Sequence, residues 1–282
     1  MVPPSHAQAK KLLEAVAEIK GVPPVVLHYW RHQFLIGWYE LLPFLMNHGA
    51  FHPGMAVIEI GCGEAGVLSA FTVAGATEAA GTDIEKPRLE AAASIATALR
   101  LPLYLTLHDI LRDEIPSQWH ARFDLVLLRD VIEHLEDTAA ALVRIAKLLR
   151  PNGHLMVVFP PYPSPFGGHQ HLSVNRLMKI PYIHLLPDKL FYYVFRGDFL
   201  VERSEVLWLR RIRLSLPKFL RAVRSSEFEI VAQRHYLIRP AFRYRLKLPF
   251  PSVPLTALVR LLPSLMQYFC TEAGYLLRKS SK

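Results

Sequence analysis

The stretch Val57-Ile58-Glu59-Ile60-Gly61-Cys62-Gly63-Glu64-Ala65-Gly66 constrains this chain more than any other. The apolar run from Met55 to Ile60 has the length and β-branched content of a buried strand. Glycines follow at once, and Val67 to Ala74 reads as the start of a helix. Such a turn lets backbone approach a ligand that a Cβ would block, and it aims unpaired helix N–H groups at that ligand. Gly61, Gly63 and Gly66 satisfy G-x-G-x-x-G, a dinucleotide fingerprint whose turn several nucleotide-type ligands share. Glu59 is the added feature: a carboxylate two residues before the first glycine accepts hydrogen bonds from a cationic amine and repels a pyrophosphate.

Strand and helix patterns alternate beyond the turn. Glu78 to Asp83 predicts a second strand closing in Gly81-Thr82-Asp83-Ile84, and Lys86 to Leu99 a helix. Leu103 to Leu107 predicts a third strand, followed by His108-Asp109-Ile110. Phe123 to Leu128 predicts the fourth, with Arg129-Asp130-Val131-Ile132-Glu133-His134-Leu135 at its end. Thr138 to Leu149 predicts a helix stopped by Pro151-Asn152-Gly153, and His154 to Phe159 the fifth strand. This rhythm implies a parallel sheet covered on both faces.

The flanks differ. Residues 1–50 read as a helical segment, with Ala7 to Ile19 amphipathic and Val25 to Asn47 rich in Tyr29, Trp30, Phe34, Trp38, Tyr39 and Phe44. That aromatic stripe is either core packing or a lid touching a ligand through Tyr29 and Trp30. From about 160 to 214 the rhythm breaks into prolines, Gly168-His169-Gln170-His171 and aromatics through Phe199, an insertion of loops and short helices above the sheet. Ser215 to Phe228 and Leu255 to Gln267 predict helices, Glu229 to Leu237 and Thr271 to Arg278 strands.

With 282 residues, 51% of them apolar, a large core is available. Two cysteines, Cys62 and Cys270, build no disulfide framework, and the polar start carries no secretory pattern, so a reducing cytoplasm is expected. Ser252 to Cys270 is interrupted by Pro254, Arg260 and Pro263, which suits a buried helix or one lying on a membrane surface better than a span. Residues 1–160 carry 13 Lys+Arg against 17 Asp+Glu, whereas residues 161–282 carry 20 against 7, a net of +13. The second half therefore faces water as a basic surface or meets an anionic substrate, lipid or nucleic acid.

Glu59-Ile60-Gly61-Cys62-Gly63, Phe123-Asp124-Leu125-Val126 and Asp130-Val131-Ile132-Glu133-His134-Leu135 together resemble the class I S-adenosylmethionine-dependent methyltransferases. The last motif is especially similar to the ubiquinone- and menaquinone-pathway branch. The likeness is good over residues 50–160 and returns weakly in Ala273-Gly274-Tyr275-Leu276-Leu277-Arg278. It implies a Rossmann-like α/β fold, a seven-stranded, mostly parallel sheet with the last strand antiparallel beside the fifth, and a methyltransferase domain over 51–282.

It also implies S-adenosyl-L-methionine as the cofactor. Glu59, Gly61, Cys62 and Gly63 would hold its amino-acid end and Asp83, with Ile84 beside it, the ribose hydroxyls. Asp109 and Ile110 would flank adenine, and Arg129 and Asp130 would lie along the methionine portion. The family's third glycine usually stands where this chain has Ala65. Asp124 reads as a structural carboxylate, and Glu133 and Asp137 as acids favouring the next helix N-terminus.

Methyl transfer to oxygen calls for a base, and His169, then His134 and His171, are the candidates. No clustered His/Cys spacing indicates a metal. Phe159-Pro160-Pro161-Tyr162 follows the wrong strand for an adenine-N6 enzyme, and no Pro-Cys pair offers a cytosine-C5 nucleophile. Aromatics at Tyr192, Tyr193, Phe195 and Trp208 among Arg210, Arg211, Arg213 and Lys218 suit a small or lipid-like anionic acceptor, with peripheral membrane contact compatible. A nucleic-acid methyltransferase using the basic half and a non-catalytic scaffold are the rival readings, and the oligomeric state is not legible.

Overall fold

A computed structural model describes residues 6–195, 201–245 and 252–280 of the chain; the end of the aromatic run at Phe199 lies outside them. Five parallel strands, β1 (Ala56–Ile60), β2 (Glu78–Asp83), β3 (Tyr104–Leu107), β4 (Phe123–Arg129) and β5 (Leu149–Phe159), form the first part of the sheet. Three more, β6 (Phe228–Ile238), β7 (Val253–Pro254) and β8 (Glu272–Lys279), complete the order β3-β2-β1-β4-β5-β8-β6-β7. β8 runs antiparallel between β5 and β6, where the resemblance places the last strand. The eighth strand is the addition: a two-residue edge, β7, pairing with Tyr236 and Ile238 and too short to leave a periodic signal.

Central strands are apolar throughout because side chains alternate between two covered faces. On one face Ile58, Ile60, Val126, Leu128, Leu155 and Val157 pack with α6 (Thr138–Leu148) and α9 (Leu216–Arg224). On the other, Val57, Leu125, Leu127, Met156 and Val158 pack with α4 (Gly66–Val73), α5 (Lys86–Leu99) and the N-terminal helices. Asp137 caps α6 by accepting from Ala140 N at 2.9 Å, the role its position predicts. Asp124 is likewise structural, accepting from Ala56 N and from Arg150 Nη1, both at 2.7 Å.

The N-terminal segment forms α1 (His6–Ala17), α2 (Pro24–Ile36) and α3 (Leu42–Asn47). α2 and α3 are one helix in the sequence pattern; a π-helical turn, Gly37–Leu41, divides them. Trp30, Phe34 and Trp38 are buried in the core, so most of the aromatic stripe is packing, while Tyr29 is exposed. The expected helix over Leu255 to Gln267 is broken at Pro263 into α11 (Thr256–Leu261) and α12 (Pro263–Met266). Between β5 and β6 the insertion forms short 3-10 turns, α7 (Asp188–Val194) and α8 (Val201–Ile212) around a small cluster of Met178, Phe191, Phe195 and Val206. A short α10 (Ala241–Arg245) follows β6.

Candidate active site

Strand order reverses between β1 and β4, and open α/β sheets place ligands outside the strand C-termini at such a point. Glu59, near the end of β1, is 3% exposed and accepts from Leu68 N of α4 at 3.0 Å. Burial pushes its carboxyl up to about 8. Gly61 has φ +68°, and a Cβ there would fall inside Val131 Cγ2. At Gly63, φ +53°, a Cβ would lie 2.5 Å from Arg88 Nη2, because that guanidinium rests on the bare turn while pairing with Glu64 at 3.0 Å.

Asp83 braces this turn from β2. Its Oδ2 accepts from Gly63 N at 2.7 Å and its Oδ1 from Glu85 N at 2.9 Å. A carboxylate has about four acceptor positions, so lone pairs remain for ligand hydroxyls. Cys62 is buried against Gly81, and burial raises its thiol well above the ordinary range, which makes it a packing residue with backbone on the ligand side.

Ala65 adopts the left-handed φ of +60°, which accounts for glycine at that position in related chains. Gly66 serves another purpose: its missing Cβ makes room for the Trp30 carbonyl of α2. Gln33 of α2 accepts from Gly66 N and donates to Glu64 Oε2, each at 3.1 Å, so the N-terminal segment caps the very helix end that the sequence leaves open.

At the next strand ends Ile84 is 69% exposed on the rim, whereas Ile110 is buried in the core. Asp109 Oδ1 accepts from Leu111 N at 2.8 Å, holding the turn after β3, and its Oδ2 lies 3.8 Å from Arg112 Nε. Arg129 and Asp130 pair with each other at 2.9 Å. Asp130, at φ +53°, also receives Arg239 Nη2 at 3.2 Å, and Arg239 Nε sits 3.1 Å from Glu272 of β8. Burial opposes ionisation of Asp130, but Arg129 and Arg239 outweigh it and hold the carboxyl well below its usual range.

Glu133 breaks its expected role. It is 2% exposed, away from the α6 N-terminus, and neither carboxyl oxygen has a hydrogen-bond partner among the described residues. Burial first and the Asp130 charge second push it well above the carboxylate range, so its neutral form is favoured. Its Oε1 lies 4.0 Å from Nε2 of both His134 and His169.

The two histidines, 35 positions apart in sequence, stack edge-on with ring centroids 5.3 Å apart, and His171 is 6.2 Å from His169. His169 Nδ1 bonds Glu205 Oε1 of α8 at 2.6 Å. Burial alone would raise the Glu205 carboxyl, but the hydrogen bond and charge of His169 hold it low. His134 is pushed down to about 4, by burial and then by His169. Trp208, one turn beyond Glu205, donates to the His134 carbonyl at 2.8 Å and locks α8 onto the motif. Glu133, His134 and His169 also bring one potential metal-ligand atom each within 4.8 Å of one another, a cluster no local spacing shows.

A family described as a methyltransferase domain matches residues 29–200. The chain belongs to that family, among the class I S-adenosylmethionine-dependent methyltransferases. A ubiquinone biosynthesis O-methyltransferase of Rhodopseudomonas palustris is 36% identical over 104 residues, covering 37% of this chain and 39% of that protein. An uncharacterized methyltransferase of Mycobacterium bovis is 35% identical over 118 residues, covering 42% of this chain and 56% of that one. The match thus spans about two-fifths to just over half the length of these curated relatives.

Among solved structures, a putative sarcosine dimethylglycine methyltransferase from Galdieria sulphuraria superposes with TM-score 0.55 at 12% identity, over 98% of this chain and 99% of that one. An S-adenosylmethionine-dependent methyltransferase from Mesorhizobium loti gives 0.52 at 17%, over 84% and 97%. Both show the fold.

S-adenosylmethionine is the methyl donor of this class. The donor set suits it chemically: the Asp83 carboxylate keeps acceptor positions for hydroxyls, and the buried acid Glu59 suits a cationic amine.

Proposed function

We propose that this methyltransferase acts on a hydroxyl oxygen of a small or lipid-like, anionic acceptor, with His169 as the base. The observation that carries the reading is the 2.6 Å bond from His169 Nδ1 to Glu205. With Nδ1–H held there, Nε2 keeps its lone pair for the acceptor proton. His134, neutral near pH 7, and His171 line the same corner, with neutral Glu133 4.0 Å from both Nε2 atoms.

Glu59 and the Gly61-Cys62-Gly63 backbone hold the donor's amino-acid end, Asp83 its ribose, and Ile84, Asp109 and Ile110 its adenine. Arg129 and Asp130, fixed against each other, border the methionine portion. Helix α2 covers the turn, with Gln33 as the tie. Bound S-adenosylmethionine would supply a methyl already activated by its sulfonium, with the neutral thioether as the leaving group. The protein positions the acceptor, excludes water and takes its proton at His169.

The O-methyltransferase names among the relatives support oxygen as the acceptor atom. An anionic acceptor fits the +13 of residues 161–282.

The test is labelled methyl transfer into extracts, with calorimetry of donor binding alongside. Label in an acidic, lipid-soluble product, lost in His169→Asn while donor affinity holds, is expected. Label appearing in RNA, or none at all despite donor binding, overturns the reading.

A further inference from the structure

Helices α11 and α12 turn an apolar face to water. Leu261 is 75% exposed, and Leu258, Leu262, Leu265, Tyr268 and Phe269 are between 41% and 55% exposed. Only a few groups tie this segment inward, among them Val259 in the core and Gln267, whose Oε1 accepts from Leu216 N at 3.1 Å. Single exposed leucines are ordinary, but six large apolar side chains within twelve positions are not. The insertion extends the face: Tyr182 donates its hydroxyl proton to the Tyr268 carbonyl at 2.9 Å. That contact brings up exposed Leu177, Ile180 and Leu185, with Arg176 and Lys179 among them.

Charge selects the occupant. From Ser252 to Thr271 the sequence holds no acid and one cation, Arg260, which is exposed. A cavity of about 530 Å³ opens beside Leu185 and Tyr268 and is lined by Arg213, whose side chain is 54% exposed and lies 3.5 Å from Asp188. Its other arginine, Arg210, is held by Asp188 and by the His184 and Leu186 carbonyls. A second copy of this chain would set one basic half, +13, against another.

We infer that this face docks on the surface of an anionic phospholipid bilayer. Leu261, Leu262, Leu265 and Phe269 enter the headgroup boundary, while Arg176, Lys179 and Arg260 meet the phosphates. Docking is independent of the acceptor reading, since vesicle binding is measured without donor or acceptor. If both hold, the insertion carrying His169 and Glu205 stands over the layer in which a lipid-like acceptor dissolves.

The full chain is floated with phosphatidylcholine vesicles and with phosphatidylcholine–phosphatidylglycerol vesicles, at low and high salt. Partition into the anionic vesicles is expected, weakened by salt and lowered at least about tenfold in Leu261→Ser/Leu265→Ser/Phe269→Ser. Arg176→Glu/Lys179→Glu, which leaves the apolar face intact, lowers it as well. Unchanged near-ultraviolet circular dichroism confirms that both variants fold. Absence of vesicle binding, equal binding to neutral vesicles, or binding unaffected by both variants overturns the inference. So does a dimer in light scattering that the triple variant dissolves while vesicle binding is absent.

Discussion

Glu205→Gln isolates the charge behind the proposed base. The amide oxygen still accepts from His169 Nδ1, so ring orientation and tautomer are kept while the negative charge goes. A hydrogen bond to a charged group contributes about 1.5–3 kcal/mol, and the 2.6 Å separation marks this one as charge-assisted. The Glu205 side chain is 34% exposed, so water screens it and the lower end, about 1.5 kcal/mol, applies. That corresponds to a fall of about tenfold in kcat. Donor affinity by calorimetry stays constant, because Glu205 lies on α8, away from the β1 and β2 ends. The assay is labelled transfer. An unchanged kcat, or an equal loss in donor affinity, refutes the reasoning.

Three further outcomes follow from the geometry. Arg239→Ala leaves Glu272 buried without its cation and strips one of two from Asp130, costing about 3–5 kcal/mol in urea unfolding; a loss below about 1 kcal/mol would contradict the network. Gly61→Ala combines a left-handed φ with overlap on Val131, so donor affinity drops, and adding Val131→Ala restores part of it in calorimetry; no recovery would show that the overlap is not what matters. Burial pushes His134, His184 and His235 down to about 4 from 6.5, so the unfolded chain takes up protons first as pH falls. Stability is therefore lost between those values, with a slope approaching three protons per pH unit, and a flat series of urea midpoints there would count against it.

Strands β1, β4 and the second half of β5 were legible because a strand buried on both faces reads as an unbroken apolar run, whereas the exposed edge strand β3 showed only through its place in the alternation. Glu59, Gly61 and Asp83 stood out by their place at strand ends. What sequence could not show were partners brought from afar. Glu205 meets His169 across 36 positions and Arg239 meets Asp130 across 109, and no local pattern marks either. Glu133 was misread because an acid shortly before a helix ordinarily serves its N-terminus. Here the 3-10 turn Ile132–His134 rotates it inward and leaves that task to Asp137. Gly66 completed a fingerprint whose third glycine proved to answer to helix packing, which only the position of α2 reveals.

The placement of β8 bears on how the protein is made. Its residues, Glu272–Lys279, are the last paired stretch among the described residues, yet they fill the slot between β5 and β6. Glu272 from that strand anchors the arginine that fixes Asp130. A nascent polypeptide still short of this segment on the ribosome therefore lacks the strand between β5 and β6 and the acid that pairs with Arg239. The sheet is continuous only once β8 has entered it.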